Sequence, residues 1–108
     1  MLKTGKGKGD VCFVTDPLLK SEAYRLSVSP EQISKEATDA KGFFYALQTI
    51  RQLLPPDIEI SRTVNAMWTV PCLTIQDEPR FGYRGLMLDV SRFFIPKESV
   101  LRIIDCMA

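Results

Sequence analysis

Tyr24, Leu26 and Val28 alternate with Arg25, Ser27 and Ser29. A period of two puts one side of a strand on a core and the other in water. The next residues, SPEQ, place Pro30 at a favoured corner of a tight turn. QISKEAT then reads as a weaker return strand, so 23–38 is predicted to form an antiparallel hairpin. A hairpin is marginal alone and needs a helix on its apolar face. That helix is predicted to begin at once, because the Asp39 carboxylate can accept from exposed first-turn amides at the positive end of the helix dipole. Phe43, Ala46, Leu47, Ile50, Leu53 and Leu54 recur at steps of three and four, while Lys41, Gln48, Arg51 and Gln52 fall mostly on the other side. Pro55 and Pro56 end the helix. Gly42 in the first turn costs about 1 kcal/mol against alanine, which points to close packing against the sheet.

Upstream, DVCFVTD (10–16) is a short β-rich run that turns at Pro17. Downstream, DIEISRTVNA is open between a strand and an extended loop. A clearer strand is predicted over 69–75, interrupted by Pro71, which suggests an edge or a bulge. After a connector comes FGYRGLMLDVSRFF (81–94), which reads as a buried strand over 85–90 with Arg84 at its mouth. A second helix is predicted from Pro96, a preferred first-turn residue, with Val100, Leu101, Ile104 and Met107 on one side. Two patterns thus follow one another: antiparallel strands with a packed helix up to about Glu78, then one β-α unit of the kind found in parallel sheets and barrels. The expected fold class is α+β, an antiparallel sheet with a helix on one face, followed by one β-α unit of an incomplete barrel. The expected division is a leader over 1–9, a small domain over 10–78 and a truncated second domain over 79–108.

A length of 108 residues allows one compact domain and not two full cores. With a net charge of +1, there is no electrostatic case for nucleic acid or an anionic membrane surface. Lys3, Lys6 and Lys8 among glycines do not make a phosphate loop, since no GxxxxGK[ST] is present. The stretch is read as a flexible, solvated leader. A charged start without an apolar stretch is not an export signal, and no apolar run approaches the ~20 residues that span a membrane. A cytoplasmic location is therefore expected for this chain. Cys12, Cys72 and Cys106 show no CxxC spacing, and histidine is absent. That excludes a Ser-His-Asp triad and a Cys-His pair, and argues against a zinc site. The thiols are read as buried and structural.

EAYRLSVSPEQISKEATDAKGFFYALQTIRQLLP followed by VPCLTIQDEPRFGYRGLMLDVSRFFIPKESVLRIIDCMA resembles the bacterial β-N-acetylhexosaminidases of glycoside hydrolase family 20, from about Asp10 onward. EAYRLSV…DAKGFFYALQT is similar to the family's small non-catalytic α/β domain, and RGLMLDVSR to the opening strand of its catalytic (β/α)₈ barrel. The resemblance implies a parent enzyme that removes terminal N-acetylglucosamine or N-acetylgalactosamine from glycans by a retaining, substrate-assisted route. In that route the acetamido oxygen of the substrate attacks the anomeric carbon, a glutamate protonates the leaving oxygen, and an aspartate orients the acetamido group. It also implies no metal or organic cofactor, a carbohydrate partner, and a parent often periplasmic, cell-surface or secreted.

Arg84 aligns with the family's first-strand arginine, which is expected to hydrogen-bond sugar hydroxyls through its fixed fork of donors. The family's catalytic Asp-Glu pair, histidine motifs and tryptophan-lined pocket come from later strands and are not in this sequence. No catalytic residue is therefore assigned, and the chain itself is expected to be inactive. Asp77 and Glu78 are rejected as a substitute pair, because adjacent residues in an extended chain point to opposite sides; they are read as solvated or hinge-bonding. Asp89 is read as structural, capping or pairing with Arg92. The alternative is a stand-alone interaction module derived from the small domain. Burying a Leu or Met is worth about 1.5–3 kcal/mol, so exposed Leu86, Met87, Leu88, Ile103 and Ile104 would favour self-association through 84–108.

Overall fold

The structure, a computed structural model, describes residues 10–63 and 67–107; the leader expected over 1–9 lies outside the described residues. In chain order the elements are β1 (Val11–Thr15), β2 (Tyr24–Val28), β3 (Ile33–Ala37), α1 (Ala40–Leu53), a 3-10 turn (Pro56–Glu59), β4 (Leu73–Asp77) and α2 (Lys97–Met107). The hairpin forms as its alternation predicts. β2 and β3 pair antiparallel, with Leu26 opposite Lys35 and Arg25 opposite Glu36. Ser29 closes the turn, its amide donating to Gln32 O at 2.9 Å and its hydroxyl oxygen accepting from the Gln32 amide at 3.1 Å.

The α+β class holds, but the sheet is mixed. Its order is β1-β3-β2-β4, and β1 runs parallel to β3. β1 does not pair with its sequence neighbour β2, because β3 inserts between them and β4 takes the other edge of β2. Strands separated by a single reversed strand run the same way, so the pairing is parallel without a crossover helix. Thr38 secures the corner after β1. Its Oγ1 lies 2.7 Å from Asp16 O and 2.5 Å from Leu19 O.

β4, Leu73–Asp77, begins beyond Pro71, four residues later than the start of the 69–75 expectation, and ends two residues later than its end. The ambiguous stretch after Pro56 forms a 3-10 turn and then, over its described residues, no strand. The buried strand expected over 85–90 is absent: the segment takes no strand structure and pairs with no strand among the described residues. An edge-to-edge partner is what a strand requires, and neither free edge of the sheet provides one here. α2 forms as predicted, with the Ser99 and Val100 amides donating to Pro96 O at 3.0 and 3.2 Å. None of its described residues is buried.

α1 covers one face of the sheet. Tyr24, Leu26, Val28, Ala37 and Ala46 are buried between them, and Phe43, Ile50, Leu73 and Ile75 pack around that centre. The opposite face is polar, with Arg25 Nη1 donating to Glu36 Oε2 at 2.7 Å. Lys35 breaks the pattern by sitting on the helix side, 3% exposed. Its stem lies between Phe13 and Leu26 by register, and its ammonium sits 4.5 Å from the centroid of the Phe13 ring, whose edge meets Phe43. Burial holds the Lys35 pKa below the usual lysine value.

Gly42 confirms the close approach expected of it. A Cβ there would collide with the Ala23 carbonyl oxygen and lie 2.9 Å from Ala37 Cβ. Because the first obstacle is backbone, Gly42→Ala is expected to lose about 1–2 kcal/mol in urea unfolding: overpacking at the upper half of its range of about 1–3 kcal/mol, less a helix-propensity gain of about 1 kcal/mol. Leu26→Ala, at a fully buried position, is expected to lose about 2–5 kcal/mol in the same measurement.

Candidate functional site

The site is built outward from Asp39. One of its carboxylate oxygens accepts the Gly42 amide at 2.9 Å and caps α1. The other accepts the Ser21 hydroxyl at 2.7 Å and the Glu22 amide at 3.1 Å. The helix start and the 21–22 corner are thus joined by a single side chain. The Gly42 amide, then the Ser21 hydroxyl, hold the Asp39 pKa below the ordinary carboxylate value.

Glu22 has φ 67°, in the left-handed region that side-chain-bearing residues seldom occupy. Its carboxylate accepts from Lys41 Nζ at 3.0 Å on one oxygen and from Arg84 Nη2 at 3.1 Å on the other. Those two cations, Lys41 foremost, hold its pKa below the usual glutamate value, and the Glu22 carboxylate in turn raises theirs. Arg84 Nη2 also donates to the Tyr45 hydroxyl at 2.6 Å, and Nη1 donates to Phe81 O at 2.5 Å. The guanidinium carbon lies 5.6 Å from the centroid of the Tyr45 ring. Lys41 and Tyr45 are one helical turn apart on α1, so the corner and the first two turns of the helix form a socket for Arg84.

The other candidates are dispersed. Asp89 accepts from Arg92 Nε at 2.6 Å and from the Ser91 and Arg92 amides, the local pairing read from the sequence. Glu78 accepts from Lys20 at 2.7 Å, and Asp77 accepts the Glu78 amide at 2.9 Å. A depression of about 520 Å³ lies beside that pair, lined by Leu18, Leu19, Lys20 and Ala23 on one side and Gln76, Asp77 and Glu78 on the other. The thiols depart from the buried reading: Cys12 is half-buried, with Gln32 Nε2 donating to its sulfur, while Cys72 and Cys106 are exposed. Both exposed cysteines lie outside the sheet-helix core, one before β4 and one on α2. Among the described residues no three His, Cys, Asp or Glu side chains are placed to share a metal ion, and no helix is long and apolar enough to cross a membrane.

The partners of Arg84 escaped sequence reasoning. Lys41 was legible only as a polar helix position, and Tyr45 lay outside the predicted apolar stripe. Glu22 carried no signal at all, since a left-handed glutamate has no sequence pattern.

A four-stranded sheet with one covering helix, followed by an Arg-Gly segment without strand pairing and a second helix, is an α+β arrangement. The chain belongs to glycosyl hydrolase family 20. The model of domain 2 of that family matches residues 2–78, and the model of its catalytic domain matches 81–108. The chain is 47% identical over 90 residues to a beta-hexosaminidase of Porphyromonas gingivalis, covering 83% of this chain and 12% of that protein. It is 42% identical over 102 residues to a beta-hexosaminidase of Vibrio furnissii, covering 94% of this chain and 16% of that one. Among solved structures, the family 20 beta-N-acetylhexosaminidase of Streptomyces coelicolor superposes with TM-score 0.84 at 38% identity, over 93% of this chain and 20% of that one. A mutant Streptomyces plicatus beta-hexosaminidase in complex with product (GlcNAc) gives the same score and identity, over 95% of this chain and 21% of that one. The chain therefore spans about an eighth to a fifth of the length of these relatives.

The lowered pKa values of Asp39 and Glu22 carry a sign. Each carboxylate contributes stability that is present above its unfolded-state pKa and is lost as pH falls through its lower folded value. Asp39→Ala is expected to unfold at lower urea than wild type at pH 7, with the two midpoints converging as pH is stepped down toward about 2. Circular dichroism at 222 nm follows the transition, and a constant gap across that range would contradict the assignment.

Proposed function

We propose that this chain is the junction of a retaining, substrate-assisted β-N-acetylhexosaminidase, with a small domain over 10–78, the start of the catalytic barrel over 79–108 and a leader over 1–9. The parent enzyme removes terminal N-acetylglucosamine or N-acetylgalactosamine from glycans, and Arg84 contacts hydroxyls of that sugar. The observation that carries this reading is the ordered pair of family matches over 2–78 and 81–108, with RGLMLDVSR opening the second. The product complex of the Streptomyces plicatus relative supports a carbohydrate substrate. A stand-alone interaction module derived from the small domain is not favoured, because the start of the catalytic domain follows the small domain directly.

The chain on its own is catalytically silent on this reading. The carboxylates of Glu22, Glu78 and Asp89 are each engaged by a basic side chain, Arg84, Lys20 and Arg92 in turn. The test is release of chromogenic N-acetyl-β-glucosaminide and N-acetyl-β-galactosaminide. The 108-residue chain is expected to match a heat-killed control, whereas a polypeptide in which it continues into a whole family 20 barrel hydrolyses at least one of them. In that enzyme Arg84→Ala is expected to lower kcat/KM by about 100-fold or more, the order expected for losing two charged hydrogen bonds. An Arg84→Ala enzyme with wild-type kcat/KM would remove Arg84 from the sugar site.

Exposed apolar groups support self-association of the isolated chain. Met87 is 92% exposed and Phe94 80%, with Leu86, Val90, Phe93 and Ile104 also open. Leu88 and Ile103 are half-buried. Sedimentation at tens of micromolar is expected to show dimers or larger species, and a strictly monomeric chain would refute association through 84–108.

A further inference from the structure

We infer that Glu22 is a positioning residue for Arg84, holding from the small domain the guanidinium that meets the sugar. The inference rests on the reading of Arg84 as a sugar contact. Among the described residues Glu22 is the one non-glycine with positive φ. Left-handed backbone is unfavourable for a residue with a Cβ, and glutamate lacks the short side chain that lets Asn or Asp offset it locally. Such a conformation persists where surrounding structure over-determines it, and it gathers at functional sites. Here the Asp39 carboxylate holds the Glu22 amide at 3.1 Å while capping α1. The outcome is an aimed carboxylate, with its side chain 18% exposed and its two oxygens divided between Lys41 and Arg84.

The donor inventory of Arg84 shows what this aim does. Both Nη2 hydrogens are committed, one to Glu22 Oε2 and one to the Tyr45 hydroxyl, and one Nη1 hydrogen goes to Phe81 O. A guanidinium has five N–H groups, so among the described residues Nε–H and one Nη1–H remain. The two forked edges of the group, Nε with Nη2 and Nη1 with Nη2, each lose a prong to the socket. Arg84 therefore meets a substrate with two single donors on separate edges, fixed in direction by the Nη2 corner, and not with a bidentate fork. Glu22 and Tyr45 set that direction, and Lys41 keeps the Glu22 carboxylate from turning away.

Two measurements test this. In the 108-residue chain, nitrogen-15 NMR of the Arg84 guanidinium is expected to show slowed Cζ–Nη rotation in wild type and fast averaging in Glu22→Gly. Glycine relieves the left-handed strain, so it separates loss of the carboxylate from loss of folding; Glu22→Gln, which keeps an acceptor, is expected to fall between the two. Equal averaging in all three overturns the inference. In the enzyme that continues into the whole barrel, Glu22→Gly is expected to lower kcat/KM by about 10-fold, and adding it to Arg84→Ala is expected to cost less than twofold more. Fully multiplicative losses would show Glu22 acting independently of Arg84 and overturn the positioning role while leaving the sugar contact intact. If Arg84→Ala alone leaves kcat/KM unchanged, it is the underlying sugar-contact reading that fails.

Discussion

A single carboxylate joins the two halves of the small domain. Asp39 caps α1 through Gly42 and at the same time binds Ser21 and Glu22. An N-cap has non-helical backbone, and here it is extended at φ −136° and ψ 171°, so its side chain can reach both the first turn and a neighbouring corner. The corner stands just before β2 and the cap just after β3, the two central strands of the sheet. Gly42 adds a steric condition to the electrostatic one, because its missing Cβ allows the helix to sit against Ala23 and Ala37. Close approach, helix start and corner conformation are therefore one coupled constraint, and the Arg84 socket inherits its geometry from it.

The core that results is one layer deep. α1 covers a sheet face built from Tyr24, Leu26, Val28 and Ala37, and the reverse face is covered by charge pairs around Arg25. This explains how Lys35 is accommodated. Its backbone register places it between Phe13 and Leu26, its stem serves as apolar filling, and its ammonium finds the electron-rich ring face of Phe13 at the margin of the core. Beyond β4 this economy stops. Residues 81–107 contribute little to that core, and their large apolar side chains face outward. Arg84 supplies the exception, since its Glu22 and Tyr45 bonds span from that segment back to the domain before it.

Much of the fold was legible because it depends on neighbours in sequence. The period of two in 24–28, the cap at Asp39, the stop at Pro55 and the Asp89–Arg92 pairing all involve residues within a few positions of one another. Gly42 was legible from its cost alone. What failed involves distant partners. The parallel β1–β3 pairing depends on which strand inserts where, and no local pattern records that. Residues 85–90 carry the composition of a buried strand, yet strand structure is a property of a pair. The candidate site shows the same division. Arg84 was found through its Arg-Gly setting, whereas Glu22 and Tyr45 lie 62 and 39 positions away and were brought to it only by folding.

That separation bears on how an arginine can serve a sugar. A free guanidinium on a flexible stem loses rotamer entropy each time it binds. An arginine already held by a carboxylate, a hydroxyl and a carbonyl has lost that freedom during folding, so less is lost on binding. The restriction also removes choice, because a donor committed to Glu22 is not offered to the substrate. Preorganisation and donor count therefore act in opposite directions at Arg84. A transition state that needs two well-directed donors favours the held geometry, and one that needs a forked grip on adjacent hydroxyls disfavours it. With both Nη2 hydrogens engaged by the small domain, the held geometry is the one this fold builds. In that arrangement the sheet-and-helix unit before it fixes the direction of the Arg84 guanidinium.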